Sequence, residues 1–296
     1  MPDPTPTDAS LLDRPGVTSE RRTVNGVRLH VVTAGDEGDP PVVLLHGFPE
    51  FWYGWHRSIE PLVDAGYRVL VPDQRGYNRS EKPEGTRPYR VGELSKDVVD
   101  LVRSTGSESA HLVGHDWGGA VAWNVALRHP DAVDRLVAVN IPHPTVFEET
   151  LTSNPRQTLR SWYMFFFQLP RLPEWFQRRG GYRPLVNSLR GAAGDPFTEE
   201  DLDRYRAAWS RERGLTGMIN WYRALFRHTE DPPREQVTVP TAVIWGERDG
   251  YLLAEMADRS VEYCENGRLE RIPDATHWVH HERPERVTDL VIDHLS

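Results

Sequence analysis

Residues 110–119 read Ala-His-Leu-Val-Gly-His-Asp-Trp-Gly-Gly, and their reading decides the fold. Ala110–Val113 is a short, nearly continuous apolar run, the pattern of a strand buried on both faces of a parallel sheet. From Gly118 to His129 the period changes to that of a helix. The chain must therefore pass from strand to helix within a few residues, with Asp116 held between Gly114 and Gly118. Glycines at those places relieve the crowding of a sharp turn that presents one side chain at the end of the sheet. Working outward, Val42–Leu45, Arg68–Val71, Arg135–Val139, Thr241–Trp245 and Arg268–Ile272 repeat the buried-strand pattern. Helical stretches at Val91–Arg103, Leu252–Tyr263 and Pro284–Leu295 alternate with them. Near the start, alternation from Arg22 to Thr33 around Asn25-Gly26 predicts a tight hairpin. Strand–helix alternation of this kind predicts an α/β fold with a doubly wound, mostly parallel sheet flanked by helices.

The alternation breaks between about Pro142 and Pro233. That stretch holds no strand-like run, only Pro-bounded helical segments rich in aromatics: Pro155–Gln168, Pro173–Arg178, Thr198–Arg213 and Leu215–Phe226. The expected organisation is an N-terminal arm at 1–20, a core made of 21–141 and 232–296, and a helical cap, or lid, at 142–231. With 296 residues the chain suits one such core with an insertion. A net charge of −9 argues against nucleic acid or an anionic membrane as partner. No apolar run nears the roughly 18–20 residues that span a bilayer. The first ten residues lack the features of a secretory signal, so the expected location is cytoplasmic. The single cysteine, Cys264, excludes an internal disulfide framework and a cysteine-based zinc site. Lys82 and Lys96 are the only lysines among 35 Lys and Arg, a bias better assigned to genome composition than to chemistry.

The turn residue carries the chemistry. A serine at an elbow needs a base before it attacks; a carboxylate, with an ordinary pKa near 3.9, is already ionised at neutral pH. Asp116 can displace a leaving group from saturated carbon and leave an alkyl ester on the chain. His46-Gly47-Phe48-Pro49-Glu50, closing an earlier strand, suits a loop that offers one backbone N–H to an oxyanion, and the residue after the nucleophile offers another. Phe48 and Trp117 are that pair. Gly246-Glu247-Arg248-Asp249 and then His277 complete the order nucleophile, acid, histidine, with Asp249 orienting His277. Asp274, in a Pro-Asp turn, is read as structural, and Asn140 cannot serve as the acid. His277 and His281 have the spacing of a metal pair, but no further ligand stands at a metal spacing in sequence, and no metal is expected. Phosphate-loop and dinucleotide fingerprints are absent from the sequence, and no cofactor is expected.

The combination HGFPEFWYGW, DQRGYNRS, GHDWGG, WGERD and the terminal ATHW resembles the epoxide hydrolases of the α/β-hydrolase fold, from about Arg22 to the C-terminus. The resemblance implies that two lid tyrosines hold and protonate the epoxide oxygen. Ser161-Trp162-Tyr163 with Phe167-Gln168, and Asn220-Trp221-Tyr222-Arg223, match those lid motifs, so the roles fall on Tyr163 and Tyr222. It implies an apolar epoxide and water as reactants, a vicinal diol as product and a role in detoxification, with monomer and homodimer both open. The nearest rival is a haloalkane or haloacid dehalogenase. Phe48, however, stands where many haloalkane enzymes carry a halide-binding Asn, and Trp117 where a haloacid enzyme carries Arg. A non-catalytic ligand-binding relative is the rival from another class; intact Asp116, Asp249 and His277 speak against it.

Overall fold

The computed structural model describes residues 16–296. Eight strands form one sheet in the order β1-β2-β4-β3-β5-β6-β7-β8. The hairpin comes first: β1 (Val17–Val24) and β2 (Val27–Ala34) run antiparallel across Asn25-Gly26. Both turn residues have positive φ, 44° and 75°, as a two-residue hairpin loop requires. Most of the expected N-terminal arm lies outside the described residues. Its last part is a correction: Val17–Glu20 pair with Ala34–Val31 inside β1, because the edge of β2 offers unpaired backbone groups to whatever lies beside it.

β3 (Pro41–Leu45), β4 (Arg68–Pro72), β5 (Ala110–His115), β6 (Val133–Val139), β7 (Thr241–Gly246) and β8 (Gly267–Ile272) are parallel to one another. β2 joins β4 antiparallel. β3, β4, β5 and β7 are buried along their whole length, the environment that their unbroken Val, Leu and Ile runs demand. Helices α1 (His56–Asp64), α2 (Val91–Arg103) and α3 (Trp117–Arg128) connect these strands. The order reverses around β3: β4 lies on one side of it and β5 on the other. In open parallel sheets ligands bind beyond the carboxyl ends of strands at such a point.

Between β6 and β7 the structure has helices and no strand. They are α4 (Pro144–Ser153), α5 (Pro155–Arg160), α6 (Trp162–Phe166), α7 (Leu172–Leu189), α8 (Glu199–Ser210) and α9 (Gly214–Arg227). Three details differ from the sequence reading. α4 is an additional helix; the His143 ring accepts a hydrogen bond from Thr145 N and caps it. The stretch expected to run unbroken from Pro155 to Gln168 is interrupted at Ser161, whose Oγ accepts from the buried Gln157 amide. α7 extends past Arg178, but Arg179–Tyr182 leave helical geometry, with Gly180 and Gly181 at positive φ. After β7, α10 (Glu255–Val261) is shorter than expected, followed by α11 (Val279–Glu282) and α12 (Pro284–Leu295).

Candidate active site

Asp116 stands between β5 and α3 with φ 48° and ψ −123°, a conformation that L-residues adopt only at a cost. The surroundings leave no alternative. A Cβ on Gly118 would collide with the Leu45 carbonyl oxygen, and one on Gly47 would lie 2.5 Å from the Asp116 Cβ. The Gly residues let β3, the loop after it and the start of α3 close on the aspartate from both sides. Phe48 N donates to Asp116 Oδ1 at 2.8 Å. Trp117 is the first residue of α3, so its N–H is among those a helix leaves without an internal partner.

Asp249 and His277 follow β7 and β8. His277 Nδ1 lies 2.8 Å from Asp249 Oδ2, and its Nε2 lies 3.7 Å from Asp116 Oδ2. Asp249 is fully buried with every lone pair in use: Oδ1 accepts from Tyr251 N and Leu252 N, and Oδ2 also accepts from Asn140 Nδ2 at 2.7 Å. Asn140, dismissed in sequence as an acid, thus fixes the acid in place, and its Oδ1 accepts from Gly246 N. Burial would raise Asp249, but the His277 charge and these hydrogen bonds hold it below the usual range. Burial would likewise push His277 down. The charges of Asp249 and Asp116, with the hydrogen bond to Asp249, prevail and raise it to about 10.

Tyr163 on α6 and Tyr222 on α9 line the same cavity, of about 480 Å³, as Asp116 and His277. Their rings lie 5.8 Å apart, and Tyr222 stands edge-on to Phe48 and Trp117 at 5.2 and 5.1 Å. Burial, with the Asp116 charge adding to it, raises both hydroxyls well above their ordinary value, so both keep their protons. Two residues flanking the tyrosines bind α6 to α9. The Gln168 amide donates to the Met164 and Tyr222 carbonyls. Arg223 donates to the Phe167 and Leu169 carbonyls and pairs with buried Glu174 at 2.7 Å.

The sequence reading missed a buried cluster beneath the aspartate. Glu50, last residue of the HGFPE stretch, accepts from His281 Nε2 at 2.6 Å and from the Tyr205 hydroxyl at 3.0 Å, and lies 3.1 Å from His115 Nδ1. His115 Nε2 meets the His277 carbonyl at 2.9 Å and must carry the hydrogen there, since a carbonyl only accepts. The loop bearing His277 is in this way tied to the residue before Asp116. Glu50, His115 and His280 each bring a donor atom to within 4.8 Å of the others, a grouping that spacing along the chain does not reveal. Tyr251 is a second omission; its ring packs on His277 at 5.0 Å and its hydroxyl bonds Ser188 Oγ at 2.8 Å.

A strand-to-helix elbow, an acid after β7 and a histidine after β8 form one constellation, and residues 40–284 match the family model of the alpha/beta hydrolase fold. The chain belongs to the alpha/beta hydrolase family. It is 45% identical over 283 residues to the AB hydrolase superfamily protein YfhM of Bacillus subtilis, covering 95% of this chain and 99% of that one. To Epoxide hydrolase A of Mycobacterium tuberculosis it is 36% identical, with 95% and 98% covered. A crystal structure of the Bacillus megaterium epoxide hydrolase with an inhibitor superposes with a TM-score of 0.86 at 30% identity, over 93% of this chain and 99% of that one. These relatives make this alpha/beta hydrolase epoxide hydrolase-like. Among its described residues no helix is long and apolar enough to cross a membrane.

Proposed function

We propose that this hydrolase opens apolar epoxides to vicinal diols in two steps, with residues 142–231 as the cap that closes the site. The reading is carried by one observation: Asp116, on the core, and the hydroxyl-bearing Tyr163 and Tyr222, on the cap, line one apolar cavity from opposite elements. In the first step an Asp116 carboxylate oxygen attacks an epoxide carbon, the carbon–oxygen bond breaks, and the ring oxygen takes a proton from Tyr163 or Tyr222. The developing alkoxide is a poor leaving group without that proton, so two protonated tyrosines near one carboxylate suit an epoxide.

Ester formation removes the Asp116 charge, one of the two that keep His277 protonated. The histidine then gives up its proton more readily, which restores the tyrosine and frees Nε2 to act as a base. It deprotonates water, and the hydroxide adds to the Asp116 carbonyl carbon. The oxyanion so formed falls to the Phe48 N–H, which already donates to Asp116 Oδ1, and to the N–H of Trp117. Collapse breaks the ester bond, the leaving oxygen takes the proton that His277 had removed from water, and the diol departs. The Asp116 acid left behind gives its proton to His277, which restores the carboxylate and the charged histidine. No observation favours a dehalogenase: Phe48 and Trp117 pack around Tyr222, and halide release has no use for two protonated tyrosines. Turnover of a panel of aryl and alkyl epoxides, with chiral analysis of the diols and a parallel halide assay on haloalkanes, tests the reading. Diol from epoxides without halide release is the expected result; halide release without diol would contradict it.

A further inference from the structure

Seven large apolar side chains stand exposed among the described residues, and all lie between residues 159 and 226 of the cap; six fall between Leu159 and Trp175. Trp162 and Trp175 are 58% and 57% exposed, and Leu159 75%. Ring contacts join part of this set: Trp162 packs on Phe166 and Phe166 on Phe176, the neighbour of Trp175 in sequence, while Phe165 packs on Phe226. Exposed apolar surface clustered in this way marks a site of contact rather than scattered surface hydrophobicity.

The segment that carries six of these seven side chains has a charge of opposite sign to the rest of the chain. Residues 155–191 hold seven arginines and one acid, Glu174, in a protein of net charge −9. Glu174 is buried in its pair with Arg223, so it does not offset the surface. Arg160 is spent on the Asp249 and Leu252 carbonyls and Arg190 on Glu199. Arg156, Arg171, Arg178, Arg179 and Arg183 are exposed and pair with no carboxylate among the described residues; Arg179 lies over the Trp175 ring at 4.9 Å.

We propose that this face of the cap docks on an anionic phospholipid surface, with Trp162 and Trp175 at the headgroup boundary and the five arginines on lipid phosphates. Tryptophan, phenylalanine and leucine flanked by arginine is the composition of interfacial protein surfaces. A second copy of the chain fits less well, because a two-fold axis sets a patch against itself and would oppose arginine to arginine. The overall negative charge does not decide the matter, since lipid headgroups act over about a Debye length, on the order of 8–10 Å. Leu159 and Trp162, both exposed, also line the cavity that holds Asp116, so docking places the lipid beside that cavity.

The test is co-sedimentation of the full chain with vesicles of equal parts phosphatidylcholine and phosphatidylglycerol, beside vesicles of phosphatidylcholine alone. The protein is expected to pellet with the mixed vesicles only and to be released by salt. The charge-reversed R171E/R178E/R183E chain should lose at least roughly a hundredfold in partitioning, since about 1 kcal/mol per basic residue at an anionic surface is lost at three sites before any repulsion by the new carboxylates. Trp175→Ser, a single exposed position, should lose up to about tenfold. Three results would overturn the proposal: no pelleting with the mixed vesicles, equal pelleting with both kinds, or partitioning unchanged by charge reversal. A stable dimer in solution that Trp175→Ser dissociates, without vesicle binding, would assign the face to a second copy instead.

Discussion

Asp116 and His277 share one electrostatic problem, and their proposed roles follow from it. His277 sits between two carboxylates, with Asp249 2.8 Å from one ring nitrogen and Asp116 3.7 Å from the other. Its pKa of about 10 depends on both. Proton-detected titration of His277 should therefore give a clearly lower value in Asp116→Asn than in the parent chain; an unchanged value would mean that Asp116 does not hold the proton. The tyrosines make a second prediction. Tyr163→Phe and Tyr222→Phe should each slow ring opening in single-turnover measurements while ester hydrolysis persists, and the double variant should lose about 10³-fold or more. Normal ring opening by the double variant would remove the cap from the chemistry. Asp116, Asp249 and His277 are legible as candidates because each follows a strand whose apolar run is plain in the sequence. Glu50, His115 and Asn140 are not. Their partners lie 65, 162 and 109 residues away along the chain, and only the sheet brings those segments together.

Elements are legible where their apolar period is set by the sheet. β3 to β8 fall within a residue or two of the expected runs, and α2 and α12 match them end to end, because each buries a face against a continuous core. The cap helices are less legible. Their ends are set by local hydrogen bonds, such as Gln157 to Ser161, and by the glycine pair in α7, which no periodicity reports. The elbow itself depends on one close approach. Gly118→Ala places a methyl group against the Leu45 carbonyl, backbone that cannot move without shifting β3. The variant should lose at least about 2 kcal/mol of stability in urea unfolding, or fail to fold. Parent-like stability would show that the packing of α3 on β3 is looser than described.

The whole molecule should be stable over a limited range of pH. His56, His143 and His294 are driven by burial down to about 4, and His46 is lowered by the same cause. Unfolding returns each to about 6.5, so the unfolded chain takes up protons first. Their contribution is complete above pH 6.5 and is lost as pH falls toward 4. Asp97, raised by burial to about 6, works the other way, one group against several. His277 is raised, so its contribution is complete below pH 6.5 and is lost as pH climbs through 10. The melting temperature should fall on both sides of neutrality, more steeply on the acid side; a flat profile between pH 7 and 4.5 would contradict the burial of these histidines. Core and cap come together in the proposed reaction: the core supplies Asp116, Asp249 and His277, and the cap supplies Tyr163 and Tyr222. The direct test is the intact mass of His277→Ala after exposure to one epoxide. Attack by Asp116 needs no base, whereas hydrolysis of the ester does. The protein should gain the mass of one substrate, with little diol released, and peptide mapping should place the gain on Asp116. Ring opening without any adduct, in a variant shown to bind the epoxide, would contradict a covalent first step.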